Sequence, residues 1–82
     1  MLHALKTHPE YFKSIEAWQK KCELRKMDRP FKEGDKILLQ EWDPETETYT
    51  GNEIEFRISH ILKDAEKFGL KKGYCIISLD PN

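Results

Sequence analysis

From Ile54 to Leu62, apolar positions Ile54, Phe56, Ile58, His60 and Leu62 alternate with Glu55, Arg57 and Ser59. A two-residue period of this length describes a β-strand with one face turned to a core, and it places His60 on that apolar face. Other stretches supply partners. Ile37 to Trp42 reads as a well-buried strand, and the polar run opened by Asp43-Pro44 and closed by Gly51-Asn52 joins the two as a hairpin with a long loop. Residues 2 to 6 form a short strand, and Tyr74 to Leu79 forms the last one. Cys22 to Arg25 alternates as well, with Leu24 assigned to the core and Arg25 away from it. Residues 63 to 73 read as a loop with one helical turn before Gly69.

Only one helix is expected. Pro9 opens it where a missing N–H costs nothing, Glu10 suits its first turn, and Tyr11, Phe12, Ile15 and Trp18 recur at helical spacing. Lys13, Glu16 and Gln19 take the other side, and the helix should end near Lys20. The reading is α+β: one domain over residues 1–82, with about five strands and one main N-terminal helix. So many short strands in so few residues favour a small curled sheet or barrel, because closure protects strand edges.

Composition narrows the function. Charged residues make up 35% and hydrophobic ones 38%, the balance of a soluble globular domain. No apolar run reaches the length of a membrane span, and the first residues lack a leader pattern, so the cytoplasm is the expected location. The net charge of −1 argues against a protein that coats nucleic acid indiscriminately. The charge is uneven, however. Residues 1 to 36 hold nine Lys and Arg against six acids, whereas residues 37 to 62 hold one against six.

Half of the basic groups, seven of fourteen, gather between Trp18 and Lys36. Arg25 offers a planar fork suited to phosphate, Lys20 a point charge, and Glu23 a carboxylate that can orient Arg25 or accept a base amino group. Lys6, Lys26, Arg29 and Lys32 add positive charge. Trp42 and Tyr49 are candidate stacking platforms for single-stranded bases, although for Trp42 core or rim packing is the favoured reading. The simple alternative for Glu23 and Arg25 is a surface ion pair with neighbouring strands.

Metal and cofactor chemistry find no support in the spacing. Cys22 and Cys75 read as small buried hydrophobes, and the three histidines have no Cys or carboxylate at ligand spacing. His3 is placed facing the cleft beside Lys6, and His8 at the helix start. No Gly-rich phosphate loop is present, since Gly34, Gly51, Gly69 and Gly73 each fall at an expected turn. No cofactor is expected.

The pattern Lys20-x-x-Glu23-x-Arg25 after a helix, the FKEGD turn, Glu41-Trp42-Asp43-Pro44, Tyr49-Thr50-Gly51 and the closing FGLKKGYCIISL resemble a bacterial and phage domain family of unknown function. That family is placed in the ASCH branch of the PUA-like superfamily. The resemblance runs from Leu2 to Leu79 and implies a PUA-like β-barrel with flanking helices. It also implies an RNA- or nucleotide-binding role, with Lys20, Glu23 and Arg25 beside a cleft between barrel and helix. Trp18 stands where the family pattern has Gly, which predicts a remodelled helix exit and a partly filled cleft.

Three functions follow as expectations. The first is a non-catalytic RNA- or nucleotide-binding module using Lys6, Lys20, Glu23, Arg25, Lys26, Arg29, Trp42 and Tyr49. The second is a small hydrolase acting on a modified nucleoside or RNA. Amidohydrolase-like members of the resembled group carry Thr at the position of Glu23, so this chain lacks that group. The third is a protein-interaction domain using the acidic stretch from Glu41 to Glu55 or an uncovered strand edge.

Overall fold

The alternating sequence becomes a single sheet in the computed structural model, which describes residues 1–81. In chain order the elements are β1 (Leu2–Thr7), α1 (Pro9–Glu16), β2 (Cys22–Lys26), β3 (Lys36–Asp43), β4 (Thr48–Leu62), a 3₁₀ turn (Glu66–Phe68) and β5 (Tyr74–Pro81). The strand order is β1-β3-β4-β5-β2. β1 runs parallel to β3 and the other pairs are antiparallel. The α+β fold is therefore a mixed five-stranded sheet curled into a half-barrel, with one short helix.

β1 and β2 are the two sheet edges, and they do not pair with each other. Two arginines partly replace the missing ladder. Arg25 Nη2 donates to the Lys6 carbonyl, and Arg29 Nη1 donates to the Ala4 carbonyl at 3.2 Å. These carbonyls belong to edge strand β1, so the side chains satisfy acceptors that a sixth strand would otherwise take.

The concave face is filled by Leu5, Phe12, Ile15, Phe31, Ile37, Leu39, Phe56, Ile58, Cys75, Ile77 and Leu79. Facing rows follow the register. Leu5 pairs with Leu39, which pairs with Ile54, and Ile58 pairs with Leu79. Phe12 and Ile15 of α1 complete the packing.

Two irregularities correct the sequence reading. β4 and β5 shift register between Ile58 and His60. The extra residue, Ser59, turns Ile61 toward the core, while His60 and Leu62 are exposed. His60 is thus a surface residue, because a bulge reverses facing in a strand of period two. β3 and β4 shift between Gln40 and Trp42. Gly51 and Asn52 therefore lie inside β4 at a bulge instead of closing a loop, and the hairpin turn is confined to residues 44–47. The positive φ of Gly51, 96°, is what such a bulge requires.

The helix also ends earlier than its apolar spacing suggests. Ala17 is the C-cap, and Trp18 adopts a left-handed φ of 59°. Trp18 N–H donates to the Ile15 carbonyl and Gln19 N–H to the Ser14 carbonyl, both at 2.9 Å. This is the paired-bond helix stop that normally uses glycine. The exit keeps that geometry and is not remodelled. The indole turns away from the cleft and stacks on Phe56, with ring centroids 5.7 Å apart and planes at 15°.

At the other end of the core, Asp35 ties the turn before β3 to β1. Its carboxylate accepts from His3 Nε2 at 2.9 Å, the Met1 amino group at 3.2 Å and Lys32 N–H at 3.2 Å. His3 is buried, with its ring edge-on to Phe31. It does not face the cleft: it lies in the core row His3–Ile37–Phe56 at the far end of β1 from Thr7, enclosed by Asp35 and Phe31. No helix among the described residues is long and apolar enough to cross a membrane.

Two outcomes follow. Trp18→Gly removes a left-handed backbone cost of about 1–2 kcal/mol but loses a half-buried indole and its stacking, together worth about 3 kcal/mol. The variant should be less stable by about 1–2 kcal/mol in urea unfolding, and a gain in stability would contradict the packing account. The hydrogen bond from His3 foremost, opposed by burial and joined by the amino terminus and Lys32, holds the Asp35 carboxyl below its usual range. Its stabilisation is complete above the unfolded carboxyl pKa of about 4 and is lost as pH falls through the lower folded value. The stability gap between parent and Asp35→Asn should therefore narrow on acidification below about pH 4, and a constant gap would refute the linkage.

Candidate anion-binding cleft

A hollow of about 400 Å³ opens where the two sheet edges face each other. Lys6, Thr7 and His8 line it from the end of β1, Tyr11 from the first turns of α1, and Lys20, Glu23, Leu24 and Arg25 from β2 and its approach. Register explains its polar wall. Glu23 pairs with Ile77 and Arg25 with Cys75, so both project from the same sheet face as the core. Leu24 projects the other way and is 61% exposed, whereas Glu23 is 5% exposed. This reverses the sequence assignment, which ranked Leu24 above Glu23 for burial on hydrophobicity alone.

Ion pairing makes the reversal tolerable. Glu23 Oε1 accepts from Lys20 Nζ at 3.0 Å, and Oε2 accepts from Arg25 Nε at 2.9 Å. A buried carboxylate without such partners would be strongly penalised. Lys20 also donates to the Cys22 carbonyl. Arg25 spends Nε on Glu23 and Nη2 on the β1 edge, leaving Nη1 without a partner among the described residues. The Lys20 and Arg25 side chains remain about a quarter exposed. With Lys6, the lining holds three cations against one carboxylate.

The Thr7 hydroxyl adds a further polar group. It is buried in a residue that lines the cleft and has no hydrogen-bond partner among the described residues. Such a group ordinarily costs about 1–3 kcal/mol. Lys6 connects the cleft to the hairpin: its ammonium lies 4.0 Å from the Trp42 ring centroid and 5.9 Å from that of Tyr49. Trp42 and Tyr49 meet edge to face at 4.8 Å. Both rings pack beside Lys6, and Tyr49 remains 50% exposed.

Of the residues singled out from sequence, Lys6, Lys20, Glu23 and Arg25 come together, with Trp42 and Tyr49 behind Lys6. Lys26 and Arg29 do not line the hollow. Lys26 follows Arg25 and projects from the opposite face, and Arg29 braces β1. Thr7, His8 and Tyr11 were missed, because nothing in the spacing shows that the β1–α1 junction lies against β2.

An acidic hollow of about 330 Å³ adjoins, lined by His8, Pro9, Glu10, Asp43, Pro44 and Glu45. Its carboxylates disfavour phosphate on that side. Nearby, Glu41 accepts from Thr50 Oγ1 at 2.7 Å and Asn52 Nδ2 at 3.0 Å, and these bonds, Thr50 first, hold its carboxyl below the usual range. Among the described residues, no cluster of three or more His, Cys, Asp or Glu side chains is arranged to hold a metal ion. Cys75 is buried, which raises its thiol pKa. Cys22 is exposed, contrary to the sequence reading, because it shares the outer face with Leu24.

Glu23→Ala should leave Lys20 and Arg25 adjacent without their counter-charge. An unfolding free energy lower by about 2–3 kcal/mol is expected, with a smaller loss, under about 1 kcal/mol, for Lys20→Ala. Equal stabilities of parent and Glu23→Ala would show that the clamp contributes nothing.

Similarity to known proteins spans this whole arrangement. The chain is 35% identical over 60 residues to an uncharacterized 12.9 kDa protein in the GpA 3′ region of Escherichia phage P2. That match covers 73% of this chain and 53% of the phage protein, so the chain spans about half the length of the curated relative it matches. A family model described as a domain of unknown function, DUF3850, matches residues 2–79 and takes in every strand pairing around the cleft, and the chain belongs to that family.

Proposed function

We propose that this cleft binds single-stranded RNA or a nucleotide and that the protein is a binding module rather than an enzyme, acting in the cytoplasm. The observation that carries this reading is the buried Glu23 carboxylate. It holds Lys20 and Arg25 at the wall of a roughly 400 Å³ hollow with excess positive charge. A volume of this order accommodates a nucleotide. Phosphate would lie against Lys6, Lys20 and the unspent Nη1 of Arg25, while remaining lone pairs of Glu23 accept a base amino group. The Lys20-x-x-Glu23-x-Arg25 wall and the half-barrel support placement in the ASCH branch of the PUA-like superfamily. Lys20 donates to Glu23 and to the Cys22 carbonyl, which suits a fixed charge better than a nucleophile.

Titration with short oligouridylates and with nucleoside monophosphates should shift amide resonances of residues 6–8 and 20–25. Affinity should fall with salt, and Lys6→Ala should lower the slope of log K against log salt by about 0.7. Salt-independent binding, or shifts elsewhere only, would overturn the proposal. Lys6 accepts no role in the β1–β2 bracing through its side chain, so this variant separates ligand contact from fold.

A further inference from the structure

We infer that the bound nucleic acid is a strand several nucleotides long, which leaves the cleft across the β2 edge and continues over the 63–73 loop, with Phe68 as its stacking platform. The inference rests on the function proposed for the cleft and extends it to a second contact region.

Phe68 is 81% exposed at the end of the 3₁₀ turn. A lone exposed apolar residue needs no explanation, but this ring belongs to a loop whose four lysines are all exposed. Its own neighbour Lys67 lies over it, with Nζ 5.1 Å from the centroid. The loop carries Lys63, Lys67, Lys71 and Lys72 against Asp64 and Glu66. An exposed aromatic ring within excess positive charge is the pairing that holds single strands, since every base has a stacking face. Trp42 and Tyr49, by contrast, are engaged with each other and with Lys6.

Connectivity puts this loop at the cleft's exit. Arg25 pairs with Cys75, and the next pair is Lys26 with Tyr74. Met27 N–H donates to the Gly73 carbonyl at 2.7 Å, and Lys71 Nζ lies 5.4 Å from the Tyr74 ring centroid. The positive groups therefore run from Arg25 across the β2 edge to Lys26 and on to Lys71, in the same 63–73 loop that carries Phe68. This route also gives Lys26, which does not line the hollow, a place on the ligand's path.

The test compares fluorescein-labelled octauridylate with uridine monophosphate for the parent, Phe68→Ala, the double variant Lys71→Ala/Lys72→Ala and the cleft variant Lys6→Ala. The parent should bind the octamer at least tenfold more tightly than the mononucleotide. Phe68→Ala should weaken octamer binding about tenfold and leave mononucleotide binding unchanged. The double variant should lower the octamer salt slope by about 1.4. If the octamer and mononucleotide bind alike, and only Lys6→Ala weakens them, the extended path is refuted while the cleft reading stands. Loss of all binding in the parent would refute both. Poly-glutamate competing as strongly as the octamer would also overturn the inference and mark the loop as a surface for acidic protein.

Discussion

The structure turns on one buried carboxylate. Glu23 sits on the core face of an edge strand, where a hydrophobic residue would be the ordinary choice, and its charge is sustained by Lys20 and Arg25. Through Arg25 the same cluster reaches the free carbonyl of Lys6 and links the two strands that fail to pair. The charged network thus both forms one wall of the cleft and, with Arg29, bridges the two open edges of the half-barrel. A sheet closed by backbone hydrogen bonds would have left no such opening.

Polar groups on a core face are costly, and those of this fold fall into separate sets, His3 with Asp35 at one end of the core and Thr7 and Glu23 at the cleft. Thr7, Glu23 and Arg25 line the gap, whereas Glu41 lies at the end of β3 within a self-contained set of bonds to Thr50 and Asn52. The distinction is informative. Glu41 has its two side-chain donors supplied by the bulge, while the cleft retains an unpartnered hydroxyl and an unspent guanidinium nitrogen. Natural sequences depart from apolar consistency chiefly where function demands it.

Much of this could be read from the chain. The strand count, the helix opening at Pro9, the hairpin of β3 and β4, the turn at Gly69 and the association of Lys20, Glu23 and Arg25 all follow from local pattern. What escaped was facing and contact. Hydrophobicity assigned Leu24 inward, but ion pairing reversed β2. A one-residue bulge at Ser59 sent His60 outward, and no local signal announces it. Trp18 kept a glycine-like conformation because stacking on Phe56 offsets the backbone cost. The contributions of Thr7 and Tyr11 depend on the β1–α1 junction meeting β2, a long-range contact that spacing cannot express.

The central claim is that Arg25 serves an accessible cleft as well as bracing the fold. Its side-chain Nε–H resonance, followed by nitrogen–proton correlation spectroscopy during titration with an oligouridylate, tests this within the guanidinium concerned. The account predicts a saturable shift that disappears at high salt. A resonance that stays fixed while the oligonucleotide binds elsewhere would show that the guanidinium belongs to the scaffold alone.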